Sequence, residues 1–169
     1  MQLIKTILHA TDFSKCSEPA LDLACMIARD QNARLIVLHV VPPMGPVVAG
    51  GNLSAVRRAE CCEQDLKSYR EEMQNKLQHL RFPALQIRPE CILKEGDAAK
   101  EIIRTAENCT CDLIVMGTHG QTGEFPRLMG SVAKEVTEKT PCSVLTVKMA
   151  RAQWRHGRAT DAEEACAVI

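Results

Sequence analysis

Aromatic residues are scarce in this chain. Three phenylalanines, one tyrosine and one tryptophan make up 3% of its 169 residues, too few for the stacking platforms that hold single-stranded nucleic acids. A surplus of charge is missing as well. Lys plus Arg and Asp plus Glu count 21 each, so no basic field draws the chain to nucleic acid. No uncharged apolar run approaches membrane-spanning length, and the opening Met1-Gln2-Leu3-Ile4-Lys5 lacks the apolar stretch and cleavage site of a secretory signal. Neither a nucleic-acid partner nor a membrane is expected. The nine cysteines are odd in number and irregular in spacing; neither Cys61-Cys62 nor Cys109-Thr110-Cys111 has C-x-x-C spacing or a matching histidine pair. They read as reduced thiols of a cytoplasmic protein, with no zinc site. Two phosphate-binding signatures are also absent, the G-x-x-x-x-G-K-[ST] loop and the dinucleotide fingerprint G-x-G-x-x-G.

What is present is a 46% hydrophobic content, at a length that buries one core without disulfides or metal. Residues 3–9, LIKTILH, read as a short buried strand, with Ala10-Thr11-Asp12-Phe13-Ser14 as the polar turn at its carboxyl end. A helix follows from Ser17-Glu18-Pro19, with Ser17 as cap candidate and Ala20, Leu23, Ala24 and Ile27 on one apolar face. Arg34–Val41, RLIVLHVV, suits a parallel strand buried on both faces and is stopped by Pro42-Pro43. Residues 42–53 form a Gly- and Pro-rich loop at the same sheet edge as Asp12. A longer helix is predicted over about 54–80, where Leu66, Tyr69, Met73, Leu77 and Leu80 recur by three and four. The alternation of Leu85, Ile87, Pro89, Cys91 and Leu93 predicts a strand containing Pro89, which therefore belongs at the edge of the sheet. Asp97 caps a helix running to about Glu107. Residues 112–116 form a strand, 131–140 a helix and 143–148 a last strand. This alternation specifies an α/β fold, a five-stranded parallel sheet between helices. Residues 149–169 continue no pattern and are expected to be a poorly ordered tail beyond a domain of residues 1–148.

The long connection Gly117–Ser131, GTHGQTGEFPRLMGS, stands between a strand and a helix. Glycines let its backbone approach a ligand closely, and the helix start offers unpaired N–H groups and a positive dipole end. Such a loop suits phosphate. Its spacing, with Gly117, Gly120, Gly130 and Ser131, resembles the nucleotide-binding signature of the universal stress protein family. The resemblance covers roughly residues 1–148, including Thr11-Asp12-Phe13-Ser14, the LHVV strand end and Pro141-Cys142-Ser143-Val144-Leu145. It implies a Rossmann-like nucleotide-binding sandwich with strand order 3-2-1-4-5, in which Asp12 and Gly117 form opposite lips of one crevice. It also implies ATP or another adenine nucleotide as ligand, with magnesium as a candidate counter-ion. The base and ribose would lie near Asp12, Val40 and Met116, and the phosphates against Gly117, Gly120, Gly130, Ser131 and Val132. Within the loop, His119 can donate to phosphate. The segment Glu124-Phe125-Pro126-Arg127 departs from the small or aliphatic residues of related loops; an inward Glu124 would repel a polyphosphate and Arg127 would compensate.

Plainer readings stand beside these. Asp12 also suits a helix cap, His9 and His39 satisfied core histidines, His119 a solvent-facing side chain, and the Leu66–Leu80 stripe simple burial on the sheet. The functional reading is a stress-response regulatory module that binds adenine nucleotide and hydrolyses ATP slowly at most. Its alternatives are a nucleotide-independent dimerising scaffold and a slow ATP hydrolase. A homodimer through the exposed edge strand from Ser143 to Lys148 is expected.

Overall fold

Strands that are apolar on both faces take the middle of the sheet, and half-apolar ones take its edges. The computed structural model describes residues 4–42, 67–82, 89–118 and 129–148. Strands β1 (Thr6–Ala10), β2 (Arg34–Val41), β3 (Glu90–Glu95), β4 (Leu113–Gly117) and β5 (Ser143–Val147) all pair in parallel, in the order β3-β2-β1-β4-β5. This is the expected α/β architecture and strand order. Ile7, Leu8, Ile36, Val37, Leu38, Ile114 and Val115 in the three central strands are completely buried. The edge strands β3 and β5 are not.

The two-residue period of the strands sorts their side chains into two cores. On one face Ile7, Leu35, Val37, Leu113 and Val115 meet helix α1 (Glu18–Gln31) and helix α2, which is described over 67–78 and contributes Leu77. α1 contributes Ala20, Leu21, Ala24, Cys25 and Ala28, and the three alanines, at helical spacing, let helix and sheet come close. On the other face Leu8, Ile36, Leu38, Ile114 and Met116 meet α3 (Ala98–Asn108) and α4 (Ser131–Lys139) through Ala99, Ile102, Ala106, Ala133 and Val136. Each fully buried Leu, Ile or Val side chain among these contributes ~1.5–3 kcal/mol. Among the described residues, no helix is long and apolar enough to cross a membrane, and Cys16, Cys25, Cys91, Cys109, Cys111 and Cys142 are free thiols. Burial pushes the Cys111 thiol up to about 12 and the Cys25 thiol up to about 11.

Several expectations need correction. Ser17 stands at the start of α1, but its hydroxyl makes no cap bond; it donates instead to the Ser14 carbonyl at 2.9 Å. Pro89 precedes β3 rather than lying inside it, so proline sets the start of the edge strand and takes no ladder position. The first strand begins and ends later than the apolar run, at Thr6 and Ala10. Asp97 does cap α3, accepting from the Lys100 amide at 3.0 Å. Residues 54–66 of the predicted long helix, 43–53 of the loop before it, 85–88 of the predicted strand and the tail 149–169 lie outside the described residues.

Among the described residues, charged side chains lie on one edge strand only. On β3, Glu90 pairs with Arg34 of β2, and Glu95 pairs with Arg70 of α2 at 3.1 Å. β5, with the sequence SVLTV, carries no charge. At the amino end of the sheet the Asp112 carboxylate accepts the Lys5 and Thr6 amides at 2.8 and 2.9 Å, and these bonds hold its pKa below the usual carboxylate value.

In the middle of the sheet, completely buried His9 donates Nδ1–H to the Val115 carbonyl at 3.0 Å, and its Nε2 has no partner among the described residues. It is a core histidine bonded through one ring nitrogen. Burial lowers its pKa from 6.5 to about 4, against smaller raising effects of the Val115 bond and Asp12. The folded pKa lies below the unfolded one, so the stability contributed by the neutral ring is complete above pH 6.5 and is lost as pH falls through about 4. Urea melts of the native protein and of His9→Gln between pH 7 and 4 check this. The native protein is expected to lose stability more steeply, by on the order of 1 kcal/mol per pH unit, and parallel slopes would show that His9 does not carry the effect.

Candidate functional site

The chain leaves β1 through a tightly bonded turn. The Asp12 carboxylate accepts from the Ser14 amide at 3.1 Å and from the Ser14 hydroxyl at 2.6 Å, which bends the backbone back toward the sheet end and lets Phe13 adopt φ 61°. Helix α1 starts at Glu18, so Asp12 forms a turn of its own and does not cap that helix. The Ser17 hydroxyl spends its single proton on the Ser14 carbonyl, so the 3.1 Å contact between Thr11 and Ser17 hydroxyls has Thr11 as donor. The Thr11 oxygen in turn accepts the Phe13 amide at 3.0 Å. Two hydroxyls thus satisfy the turn's interior and hold the Asp12 lip.

The opposite lip is built on β4. Thr118 donates its amide to the Val147 carbonyl at 3.0 Å, and Gly130 donates its amide to the Thr118 carbonyl at 2.7 Å. That second bond closes the neck of the glycine-rich connection and delivers the chain into α4. Gly130 is the N-cap residue of α4, and no side chain caps the helix there. The first intrahelical bond runs from Lys134 to the Gly130 carbonyl, so the amides of Ser131, Val132 and Ala133 have no partner within the helix and form its electropositive end.

Between these lips, at the carboxyl ends of β1, β2 and β4, lies a crevice of about 480 Å³. It sits where strand order reverses, β1 having β2 on one side and β4 on the other. Of the residues singled out by sequence, Asp12, Val40, Met116, Gly117, Gly130, Ser131 and Val132 all line it. His119, Gly120 and Arg127 lie outside the described residues. Asp12 is the only charged side chain among the described lining residues. The remaining polarity of the described lining comes from Thr11, Ser17, Thr118, Ser131, His39, Tyr69 and the backbone.

Sequence reasoning passed over several of these. Tyr69 shares the helical spacing of Met73 and Leu77, which are buried, yet it lines the crevice. His39 reads as a core residue because its strand is apolar. The structure buries it to 6% exposure but leaves it in the crevice wall, donating Nδ1–H to the Thr11 carbonyl at 2.8 Å with its ring 4.3 Å from that of Phe13. Its Nε2 has no partner among the described residues. Burial lowers its pKa, so the ring is neutral at pH 7 with its proton on Nδ1. Ala98 and Ile102 of α3 complete the apolar wall, a role that only the packing of α3 beside α4 reveals.

The model of the universal stress protein family matches residues 3–148. Universal stress protein MJ0531 of Methanocaldococcus jannaschii is 36% identical over 147 residues, covering 86% of this chain and 83% of that protein. Universal stress protein A homolog 1 of Coxiella burnetii is 34% identical over 146 residues, covering 86% and 96%. The solved structure of MJ0577, whose biochemical function was assigned from structure, superposes with a TM-score of 0.72 at 29% identity and covers 89% of this chain and 99% of that one. A match across nearly the whole described fold, joined to these identities, establishes that the chain belongs to the universal stress protein family.

Proposed function

We propose that this chain binds ATP or a related adenine nucleotide in the crevice and acts in the cytoplasm as a regulatory stress-response module. One observation carries the reading: a carboxylate lip at Asp12 faces an amide-rich lip at Gly117, Gly130 and Ser131 across a space of about 480 Å³. Apolar Val40 and Met116 between them suit a base, Asp12 suits ribose hydroxyls, and the start of α4 suits phosphate. A universal stress protein of this fold, at a TM-score of 0.58, has been solved in complex with cAMP, which supports an adenine nucleotide as the ligand class. His119, Gly120 and Arg127 belong to the proposed phosphate loop by their place in the sequence. Magnesium is the natural counter-ion for a polyphosphate in a crevice whose described lining carries one negative charge and no positive one.

The binding test is Gly130→Val. A branched side chain at the neck stands where phosphate would approach, so calorimetric titration with ATP is expected to show at least about a tenfold loss of affinity, roughly 1.4 kcal/mol, in a protein that still melts cooperatively. Undiminished affinity would remove the neck from the site.

Binding is expected to exceed turnover. Fast phosphoryl transfer needs concentrated positive charge and an oriented nucleophile, and the described lining offers neither lysine nor arginine. Chromatography of ATP incubated with the protein and magnesium is expected to show nucleotide persisting for many minutes. Several turnovers per second, abolished by His119→Ala, would make the protein an enzyme.

We also propose a homodimer through β5. Val147 turns its carbonyl toward β4, where it accepts the Thr118 amide, so alternate residues Val144 and Thr146 direct their backbone groups to the open edge. A proline at Val144 removes an outward donor and no ladder bond. Light scattering is expected to give twice the monomer mass for the native protein and the monomer mass for Val144→Pro. A monomeric native protein, or a dimer that survives this substitution, would rule out the edge pairing.

A further inference from the structure

Two buried histidines use the same device at different depths. His9 and His39 each donate Nδ1–H to a backbone carbonyl, and neither Nε2 has a partner among the described residues. His9 reaches Val115, its register partner inside the paired β1 and β4 strands. His39 reaches Thr11, one residue beyond the end of β1 and one before Asp12. The first bond reinforces a ladder that already exists. The second holds a segment that has left the sheet.

We propose that His39 is a positioning residue for the crevice: by anchoring the Thr11 carbonyl it fixes the peptide that carries Asp12 and so aims the carboxylate lip at the ligand. The inference rests on the nucleotide reading for its ligand, and on geometry alone for its mechanism. Thr11 donates its amide to the Leu38 carbonyl at 2.9 Å while its own carbonyl accepts from the next residue of β2, His39, at 2.8 Å. Thr11 is therefore gripped through both backbone groups by adjacent positions of one strand. The grip extends outward. Phe13, whose positive φ makes the turn, lies against the imidazole with ring centroids 4.3 Å apart and an interplanar angle of 44°. The Phe13 amide returns to the Thr11 hydroxyl, and the Ser14 amide to the Asp12 carboxylate. The Phe13 and Ser14 amides thus both end on the residue that His39 holds or on its neighbour. His39 is 6% exposed, so it sets the lip from behind.

The test exploits amide geometry. In His39→Asn the side-chain nitrogen falls near the place of Nδ1 and can still reach the Thr11 carbonyl; in His39→Gln it falls near the place of Nε2 and cannot. Both changes are polar and neutral, so a general cost of altering the core does not separate them. Hydrogen exchange of the ligand-free protein reads the lip directly. The Phe13 and Ser14 amides are expected to exchange about tenfold faster in His39→Gln, as befits the loss of one buried hydrogen bond, and to stay near native rates in His39→Asn. Titration with ATP is expected to follow the same order, with affinity lost in His39→Gln and kept in His39→Asn. In the double variant His39→Gln, Asp12→Ala, the loss is expected to be no greater than in Asp12→Ala alone, because the histidine acts through that carboxylate. Native exchange at Phe13 and Ser14 in His39→Gln, equal behaviour of the Asn and Gln variants, or full additivity with Asp12→Ala would each overturn the inference. A native protein that binds no ATP would sink the nucleotide reading instead, while the exchange comparison would still decide the role of His39.

Discussion

The parallel pairing of β1 with β4 is the contact on which the rest of the molecule depends. It joins Ile7–Ala10 to Leu113–Met116, segments more than one hundred residues apart, and nothing local in the chain enforces it. Three side-chain or backbone devices support it along its length. At the amino end the Asp112 carboxylate gathers two amides of the strand opposite, in the middle His9 reaches across to Val115, and at the carboxyl end the neck at Thr118 and Gly130 closes beside the turn of Asp12. Chain connections leave this pair in opposite directions, which opens the crevice. The site is a by-product of the sheet's topology, and a loss of β1–β4 register would misplace both lips together.

The site's chemistry follows from where its polar groups come from. Strand ends and a helix start supply carbonyls and amides; the described side chains add the hydroxyls of Thr11, Ser17, Tyr69, Thr118 and Ser131, one carboxylate and one neutral imidazole. Main-chain donors hold their positions because the elements they terminate are packed on the core, so they need no ordering when a ligand arrives. The weakest part of such a construction is a turn that has left the ladder, and here two hydroxyls and a histidine secure it.

Much of this was legible in the sequence because periodicity carries it. The RLIVLHVV run is apolar at every second position twice over, and a strand with that pattern has to be buried on both faces; Ile36 and Val37 bear it out on opposite sides of the sheet. Glycine spacing likewise marked Gly117 and Gly130 as backbone positions, and both line the crevice. Periodicity fails where two environments share one face. Tyr69 lies on the same stripe as Met73 and Leu77, yet the sheet ends beneath it, and strand length is a property of the partner strands. Ser17 has the side chain of a cap, but the neighbouring Ser14 carbonyl competes for its proton successfully. His39 was invisible as a functional candidate because its partner, the Thr11 carbonyl, lies 28 residues away.

The two described edges of the sheet do not offer another strand the same welcome. An edge strand is a bonding site, and a sheet has two, so a molecule with both edges open is bivalent and can polymerise. Here β3 carries Glu90 and Glu95, paired with Arg34 and Arg70, whereas β5 bears no charge. Charge on an edge strand disfavours strand addition, so the sheet is biased toward one valence rather than two. If two copies pair through β5 as proposed, the charged edges are the ones left facing outward, and the same bias works against growth beyond a pair.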